Sequence, residues 1–336
     1  MMPERQYQNI TIIGDGGMGT VLSMLLCEKG VATRMWGHDA KYLAEMDRKR
    51  ENRKFLPGYK LPESLKFEPH DARAMAGADL IVSAVPCQYV RRVWTRLKAH
   101  VPKGVPIVSV AKGIENDTSL RPSQIITDVL GEGVELAVLS GPTIADELAR
   151  KLPATVCAAA SEEPLAEAIQ RTFACPWLRV YTNIDVVGVE LAGALKNVIA
   201  IAAGIIDGVG AGDNAKAALL ARGLAEITRL GLAMGAHEHT FAGLTGLGDL
   251  VTTCISPTGR NRSFGERIGR GQTLEEAEGS TESVVEGVAT CKSVIALAVR
   301  YDVEMPITQA VYDVLFEGKP VPTAIEDLMT RGLKAE

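Results

Sequence analysis

The run Asn9 to Ile13 is short and apolar, and it leads into Gly14-Asp15-Gly16-Gly17-Met18-Gly19 and then into a helix-like segment, Thr20 to Glu28. Strand, glycine turn and helix in that order are the elements of a dinucleotide site. Gly14 permits the tight turn, Gly16 lets backbone approach a pyrophosphate, and Gly19 lets helix pack on strand, with the helix N–H groups facing the anion. An ordinary glycine turn carries the same letters. The flanking context, with a second apolar run at Val31–Trp36 at βαβ spacing, favours the dinucleotide reading.

Further strand-like runs occur at Asp79–Val85, Pro106–Val110, Leu136–Leu139, Ala154–Ala160 and Leu178–Tyr181, separated by helical or looped segments. Such alternation predicts a doubly wound, mainly parallel sheet. After about residue 185 the strand signals stop. Ala/Leu-rich helical patterns follow at 186–206, 214–235, 274–279 and 284–301, interrupted by glycine-rich turns at Gly208–Gly212 and Gly243–Gly248. With 336 residues and 46% hydrophobic content, the chain can bury two cores. The expected domains are 1–185, α/β, and 186–336, all-helical, packed across a cleft.

The stretch from Val186 to Ile206 contains Lys196, Asn197 and, as its only other polar side chain, Glu190. On a helix, Lys196 shares its face with Ala192, Gly193, Ile199, Ala200 and Ala203. A desolvated lysine loses part of its preference for the charged form and can exchange protons near neutral pH. The alternative is a structural lysine that snorkels to water or pairs with Glu190. The run is long enough for a bilayer, but a central lysine costs about 2.5–3.5 kcal/mol there, so a buried core helix is the expectation.

The net charge of −5 gives no general footprint for nucleic acid. The basic cluster Arg48-Lys49-Arg50 with Arg53-Lys54 reads as a solvated helix end, with the steering of a phosphate as the alternative. Six dispersed cysteines at 27, 87, 157, 175, 254 and 291 form no CxxC pair, and His237-x-His239 has no third ligand, so no metal site is expected. Met1 to Asn9 lacks the apolar core of a secretory signal, and a reducing cytoplasm fits.

Ligands bind at strand ends in such sheets. Val82–Pro86 ends in a rigid proline, Ile107–Val110 runs into Ala111-Lys112-Gly113, and Leu136–Leu139 runs into Ser140-Gly141-Pro142-Thr143. In the helical half, Gly246-Leu247-Gly248-Asp249 places a carboxylate in an apolar turn, where a helix N-cap is the other reading. Gly259-Arg260-Asn261-Arg262 offers a guanidinium and an amide suited to phosphate oxygens, though a solvated loop uses the same residues.

GDGGMG at 14–19, WGHD at 36–39, AKG at 111–113, SGPT at 140–143, GALKN at 193–197, GLGDL at 246–250, GRNR at 259–262, VVEG at 284–287 and MPIT at 305–308 together resemble NAD(P)-dependent glycerol-3-phosphate dehydrogenases of the bacterial soluble type. The order and spacing fit over about residues 9–318. The resemblance implies an N-terminal Rossmann domain and an all-α C-terminal domain like that of 6-phosphogluconate dehydrogenase, with the site between them. It further implies interconversion of dihydroxyacetone phosphate and sn-glycerol 3-phosphate, a first committed step toward phospholipid.

By the same resemblance Lys196 is the proton donor and acceptor, with Lys112 and Asp249 beside it as catalytic residues. Asn197, Thr253, Gly259, Arg260, Asn261, Gly141 and Thr143 fall among the substrate contacts, with Arg260 and Asn261 at the phosphate. Gly14, Gly16, Gly17, Met18, Gly19, His38, Lys112, Ala145, Arg260, Val284 and Glu286 match cofactor contacts. The chain departs from the family at Gly17-Met18, usually a small residue and an aromatic, and at Gly259, usually serine.

The tip of the second strand, Trp36-Gly37-His38, with Arg34 upstream and Asp39 beyond, predicts a modest preference for NADP(H), with NAD(H) also used. A homodimer fits the apolar helical half. The rival readings are another two-domain reductase, such as a ketopantoate reductase or a 3-hydroxyacid dehydrogenase, and a catalytically silent NAD(P)-binding regulator. The first has no need of Arg260-Asn261, and the second no use for Lys196.

Overall fold

A computed structural model describes residues 5–280 and 284–333; the first four residues of the polar N-terminal segment lie outside them. The chain divides into two compact units. One holds the residues up to Lys112 together with Arg121–Val189, the other Gly113–Leu120 together with the residues from Glu190 onward.

The first unit is built on ten strands: β1 (Asn9–Ile13), β2 (Ala32–Trp36), β3 (Glu51–Asn52), β4 (Leu56–Lys60), β5 (Lys66–Phe67), β6 (Leu80–Ser83), β7 (Ile107–Ser109), β8 (Leu136–Ser140), β9 (Ala154–Ala160) and β10 (Leu178–Asn183). Eight of them form one sheet in the order β10-β9-β8-β7-β6-β1-β2-β5, and β3 and β4 form a separate antiparallel pair. The order reverses at β1, which pairs in parallel with both β2 and β6. Consecutive residues of β1, β6 and β7 are buried, so both faces of the sheet are covered, as parallel sheets require. The helices between the strands are α1 (Gly17–Glu28), α2 (Ala40–Lys49), α3 (Asp71–Met75), α4 (Cys87–Leu97), α5 (Pro122–Leu130), α6 (Ala145–Ala149) and α7 (Glu163–Phe173).

Every pair in the eight-stranded sheet is parallel except β8 with β9. The connection there contains only α6, of five residues, or about 7.5 Å of helix. It does not carry the chain back along the sheet for a parallel return. Strands β3, β4 and β5 were not anticipated. Two are dipeptides, and β4, Leu-Pro-Gly-Tyr-Lys, contains both residues that ordinarily argue against a strand.

The second unit is helical: α8 (Val186–Val209, which begins in the first unit), α9 (Asp213–Ala233), α10 (Glu238–Ala242), α11 (Asp249–Ile255), α12 (Arg260–Gly269), α13 (Leu274–Gly279), α14 (Glu286–Arg300), α15 (Pro306–Phe316) and α16 (Val321–Met329). The expected glycine turn at 243–248 is instead a π-helical turn, Leu244–Gly248, running directly into α11. Among the described residues α8 is the one helix long and apolar enough to cross a membrane, and 94% of its most apolar window is buried within the protein. Segment Gly113–Leu120 is held to this unit by Ser293 of α14, whose hydroxyl lies 3.1 Å from the Ile114 carbonyl and 2.8 Å from Asn116 Oδ1.

Helices α8 and α12 touch backbone to backbone. A Cβ at Gly204 would lie 1.9 Å from the Arg262 carbonyl oxygen, and one at Gly208 2.4 Å from that of Glu266. In the reverse direction, a Cβ at Gly265 would lie 2.0 Å from the Ile201 carbonyl oxygen and one at Gly269 2.4 Å from that of Ile205. Spacing by four residues puts each glycine pair on one stripe of its helix.

A different device holds α15. The buried carboxylate of Glu226 on α9 accepts from the N–H of Ile307 at 2.6 Å, the N–H of Thr308 at 3.2 Å and the Thr308 hydroxyl at 3.2 Å. It thus takes up donors that the first turn of any helix leaves unpaired. Burial raises the Glu226 carboxyl above its ordinary value, against these hydrogen bonds.

Two predictions follow from these contacts. Gly204→Ala forces α8 and α12 apart and should lower unfolding stability by at least about 2 kcal/mol in urea denaturation; a change within experimental error would show that the contact yields freely. For Glu226, between the ordinary value and the raised folded one the folded protein keeps a proton that the unfolded chain has released. That contribution is complete below the ordinary value of 4.5 and fades as pH rises through the raised folded value. Glu226→Gln, which does not titrate, should therefore melt below wild type with a gap that narrows as pH is raised from 4.5. A gap that widens would mean that the ionised carboxylate is the stabilised form.

Candidate active site

In the first unit the glycine turn sits where the strand order reverses. Gly14 has φ +118° and donates its N–H to the Trp36 carbonyl at 2.8 Å. A Cβ there would lie 2.5 Å from the Ala84 carbonyl oxygen just past β6, and one at Gly19 would lie 2.3 Å from the Gly14 carbonyl oxygen. Around Gly16 a Cβ would meet nothing within 4 Å. The turn is therefore closed on the sheet side and open at Gly16, the N-cap of α1, which has no side-chain cap. Open amides at the start of a twelve-residue helix suit a phosphate anion.

Gly17 is explained by its neighbours: a Cβ would lie 2.9 Å from the Phe55 carbonyl oxygen and 3.5 Å from the Ala145 Cβ, so Ala145 borders the turn. Met18 packs against the core of this unit. Behind the turn stands Asn52, a residue that sequence reasoning passed over. It is fully buried. Its Nδ2 donates to the Asp15 carbonyl at 2.8 Å and to the Thr20 hydroxyl at 2.7 Å, and its Oδ1 accepts from the Tyr42 hydroxyl at 2.6 Å and the Phe55 N–H at 3.0 Å. A lone asparagine inside Arg-Glu-Asn-Arg-Lys carries no sequence signal for this role.

At the tip of β2, His38 is exposed. Asp39 caps α2, accepting from the N–H groups of Lys41 at 2.9 Å and Tyr42 at 3.1 Å. Arg34, read from sequence as a cation near the cofactor, is committed elsewhere. Its Nη1 lies 2.9, 3.0 and 3.0 Å from the carbonyls of Arg73, Ala74 and Ala76 at the end of α3, where a cation complements the helix dipole. Beyond β7, Lys112 donates from Nζ to the Gly141 carbonyl at 2.8 Å and lies 3.4 Å from the Thr143 hydroxyl. The ends of the paired strands β7 and β8 thus bring Lys112, Gly141 and Thr143 together.

The second unit gathers the remaining residues. Lys196 of α8 is 5% exposed, and its Nζ lies 3.1 Å from Oδ1 of the equally buried Asp249 on α11. Lys196 also donates to the Thr253 hydroxyl, which lies 3.3 Å from the same Asp249 oxygen. Asp249 and Thr253, four apart on α11, thus meet the ammonium together. Gly248, not Asp249, holds the N-cap position of α11: the preceding π turn carries the carboxylate into the first turn of that helix. One residue on from Lys196, the Asn197 Oδ1 accepts from Asn261 Nδ2 at 2.9 Å, and the Asn261 Oδ1 accepts from the Gly287 N–H at 3.0 Å. Arg260, the first residue of α12, donates to the Val284 carbonyl at 3.1 Å, just before Glu286 opens α14. At Gly259 a Cβ would lie 3.1 Å from the Thr253 carbonyl oxygen and 3.2 Å from that of Ser256, tight for the serine of the family pattern.

The sequence-derived residues therefore form two constellations, one in each unit: Gly14–Gly19, His38, Lys112, Gly141, Thr143 and Ala145 in the first, and Lys196, Asn197, Asp249, Thr253, Gly259, Arg260, Asn261, Val284 and Glu286 in the second.

Known proteins resemble the chain along its whole length. The glycerol-3-phosphate dehydrogenase, NAD(P)+, of Chlorobium phaeobacteroides is 48% identical over 97% of this chain and 98% of its own. That of a Geobacter species, strain M21, is 49% identical over 98% and 99%. The crystal structure of glycerol-3-phosphate dehydrogenase from Coxiella burnetii superposes with a TM-score of 0.93 at 36% identity, covering 98% of this chain and 100% of that one. A ketopantoate reductase from Ralstonia eutropha, at 15% identity and TM-score 0.61, shares the fold alone. The N-terminal domain model of the NAD-dependent glycerol-3-phosphate dehydrogenases matches residues 9–166 and the C-terminal model residues 185–326, and the chain belongs to that family.

Proposed function

We propose that this protein interconverts dihydroxyacetone phosphate and sn-glycerol 3-phosphate with NAD(P)H or NAD(P)+, and that Lys196 moves the proton. The observation that carries the reading is the buried Lys196–Asp249–Thr253 cluster, one residue from the Asn197–Asn261 amide pair. The glycine turn fits a nicotinamide dinucleotide, being open at Gly16 and closed by packing at Gly14 and Gly19. When bound, the nicotinamide supplies or accepts the hydride.

As the ammonium, Lys196 donates its proton to the oxygen developing at the central carbon; in the reverse direction its amine takes the proton from the hydroxyl. Asp249 opposes the developing loss of charge and fixes the lysine head, and Thr253 limits its rotation. Arg260 binds phosphate oxygens. Asn261 contributes the second hydrogen of an amide whose first is given to Asn197. Lys112 and Thr143 are assigned to substrate contact as well. We assign nucleotide binding to a domain 1–185 and substrate binding to a domain 186–336.

For cofactor choice, Arg34 serves α3 and Asp39 serves α2, and we assign the exposed His38 to the 2′-phosphate. The NADPH preference should then be modest. The proposed setting is a cytoplasmic homodimer supplying glycerol 3-phosphate to phospholipid synthesis, in keeping with a long apolar helix that is buried and an apolar helical half. A ketopantoate-type reductase shares the fold but gives Arg260 and Asn261 no task.

Loss of reduced-nicotinamide absorbance on adding dihydroxyacetone phosphate tests the reaction; equal rates with dihydroxyacetone would refute it. Lys196→Ala should lower turnover about 10²–10⁴-fold in a folded protein, and retention within a few-fold would remove Lys196 from the chemistry. The ratio of kcat/KM for NADPH over NADH should exceed one but stay below about tenfold, equivalent to about 1.4 kcal/mol. A clear NADH preference would point instead to Asp39.

A further inference from the structure

Arg262 ends the Gly-Arg-Asn-Arg motif, and nothing in the proposed reaction uses it. Its guanidinium is mostly buried and reaches across to α8, where Nε lies 2.7 Å and Nη2 2.6 Å from Asp207 Oδ2. The same carboxylate receives Lys216 Nζ from α9 at 2.7 and 2.8 Å, and Arg262 Nη1 lies 3.3 Å from Glu266 one turn along α12. One carboxylate thus ties three helices.

We infer that Arg262 and Asp207 are positioning residues that set the register of α12 along α8 and so hold Arg260 and Asn261 at the phosphate of the substrate. The inference rests on the phosphate role given above to Arg260 and Asn261. Three contacts describe the register: Asn261 with Asn197, Gly265 with Ile201 and Gly269 with Ile205. These three share an offset of 64 residues, and the contacts of Gly204 with Arg262 and Gly208 with Glu266 share one of 58, so the helices run parallel and side by side.

Glycine surfaces permit this closeness but offer no ridges against sliding. Longitudinal position must come from directional bonds. Among the described residues, the Asn197–Asn261 amide bond supplies one within the site and the Asp207–Arg262 fork another beyond it. Asp207 follows Lys196 by eleven residues, about three turns, and so shares its face of α8. A slip of α12 by one turn would displace Arg260 by about 5.4 Å. Charges buried in this way add little net stability but fix one arrangement among several, and the planar fork of arginine does so better than a lysine.

The test is steady-state kinetics of Arg262→Gln, Arg262→Lys and Asp207→Asn with dihydroxyacetone phosphate and NADPH, with inorganic phosphate as a competing inhibitor. The Gln and Asn variants should raise KM for the phosphate ester and weaken phosphate inhibition by about tenfold or more. Their kcat should fall less and KM for NADPH should hold, while Lys should recover part of the loss. Wild-type KM and phosphate inhibition in all three, or losses confined to thermal stability, would overturn the inference. If Arg262→Gln fails to fold, Asp207→Asn and Arg262→Lys carry the comparison. Should wild type itself ignore dihydroxyacetone phosphate, the proposed reaction fails and the clasp is judged by amide hydrogen exchange at Asn261–Phe264. Faster exchange in the folded variants would retain the clasp as a register device, and unchanged exchange would remove it.

Discussion

The backbone of α8 is approached more closely than any side chain at Gly204 or Gly208 would permit, and the arrangement of the helical unit follows from that contact. Because α12 lies directly on α8, the start of α12 stands beside the Lys196–Asn197 step without long side chains to span the distance. On the same helix, the ammonium of Lys196 is buried together with the carboxylate of Asp249 from α11. Isolated, either charge would be costly at that depth; paired at 3.1 Å with a hydroxyl bridging them, they are tolerated. Packing and chemistry are therefore one problem here, solved by removing side chains rather than adding them.

The first unit meets a comparable demand differently. Its glycine turn must stay open on one side and rigid on the other. Rigidity comes from the Ala84 carbonyl pressing on Gly14 and from Asn52, whose amide joins the two ends of the turn at Asp15 and Thr20. Buried amides with every bond made define one geometry sharply.

Legibility in the sequence tracked how local the determining physics was. The strands from β1 to β10 that are apolar and bounded by turns were readable, as was the helical second half, because hydrophobic period and glycine punctuation are encoded within a few residues. Strands β3, β4 and β5 were not, since they are short and owe their pairing to neighbours distant in sequence. The burial of Lys196 was foreshadowed by its apolar surroundings. Its partner was open to question, as Glu190 lay one turn and a half away whereas Asp249 is brought in by a different helix. Asn52 and the commitment of Arg34 to α3 left no trace: Arg34 bonds carbonyl groups that every residue possesses, and the partners of Asn52 are scattered from Asp15 to Phe55.

The octapeptide Gly113–Leu120 belongs with the helices although it lies in the middle of the nucleotide-type sequence, and Ser293 fastens it there. Neither unit is therefore a single continuous length of chain. A hybrid made by joining the first half of this protein to the second half of a relative at one crossover would bring a foreign octapeptide against a serine evolved for another. Exchange of the helical unit as a module requires two grafted segments, and the crossover points lie at 112/113, 120/121 and 189/190 rather than at the start of α8.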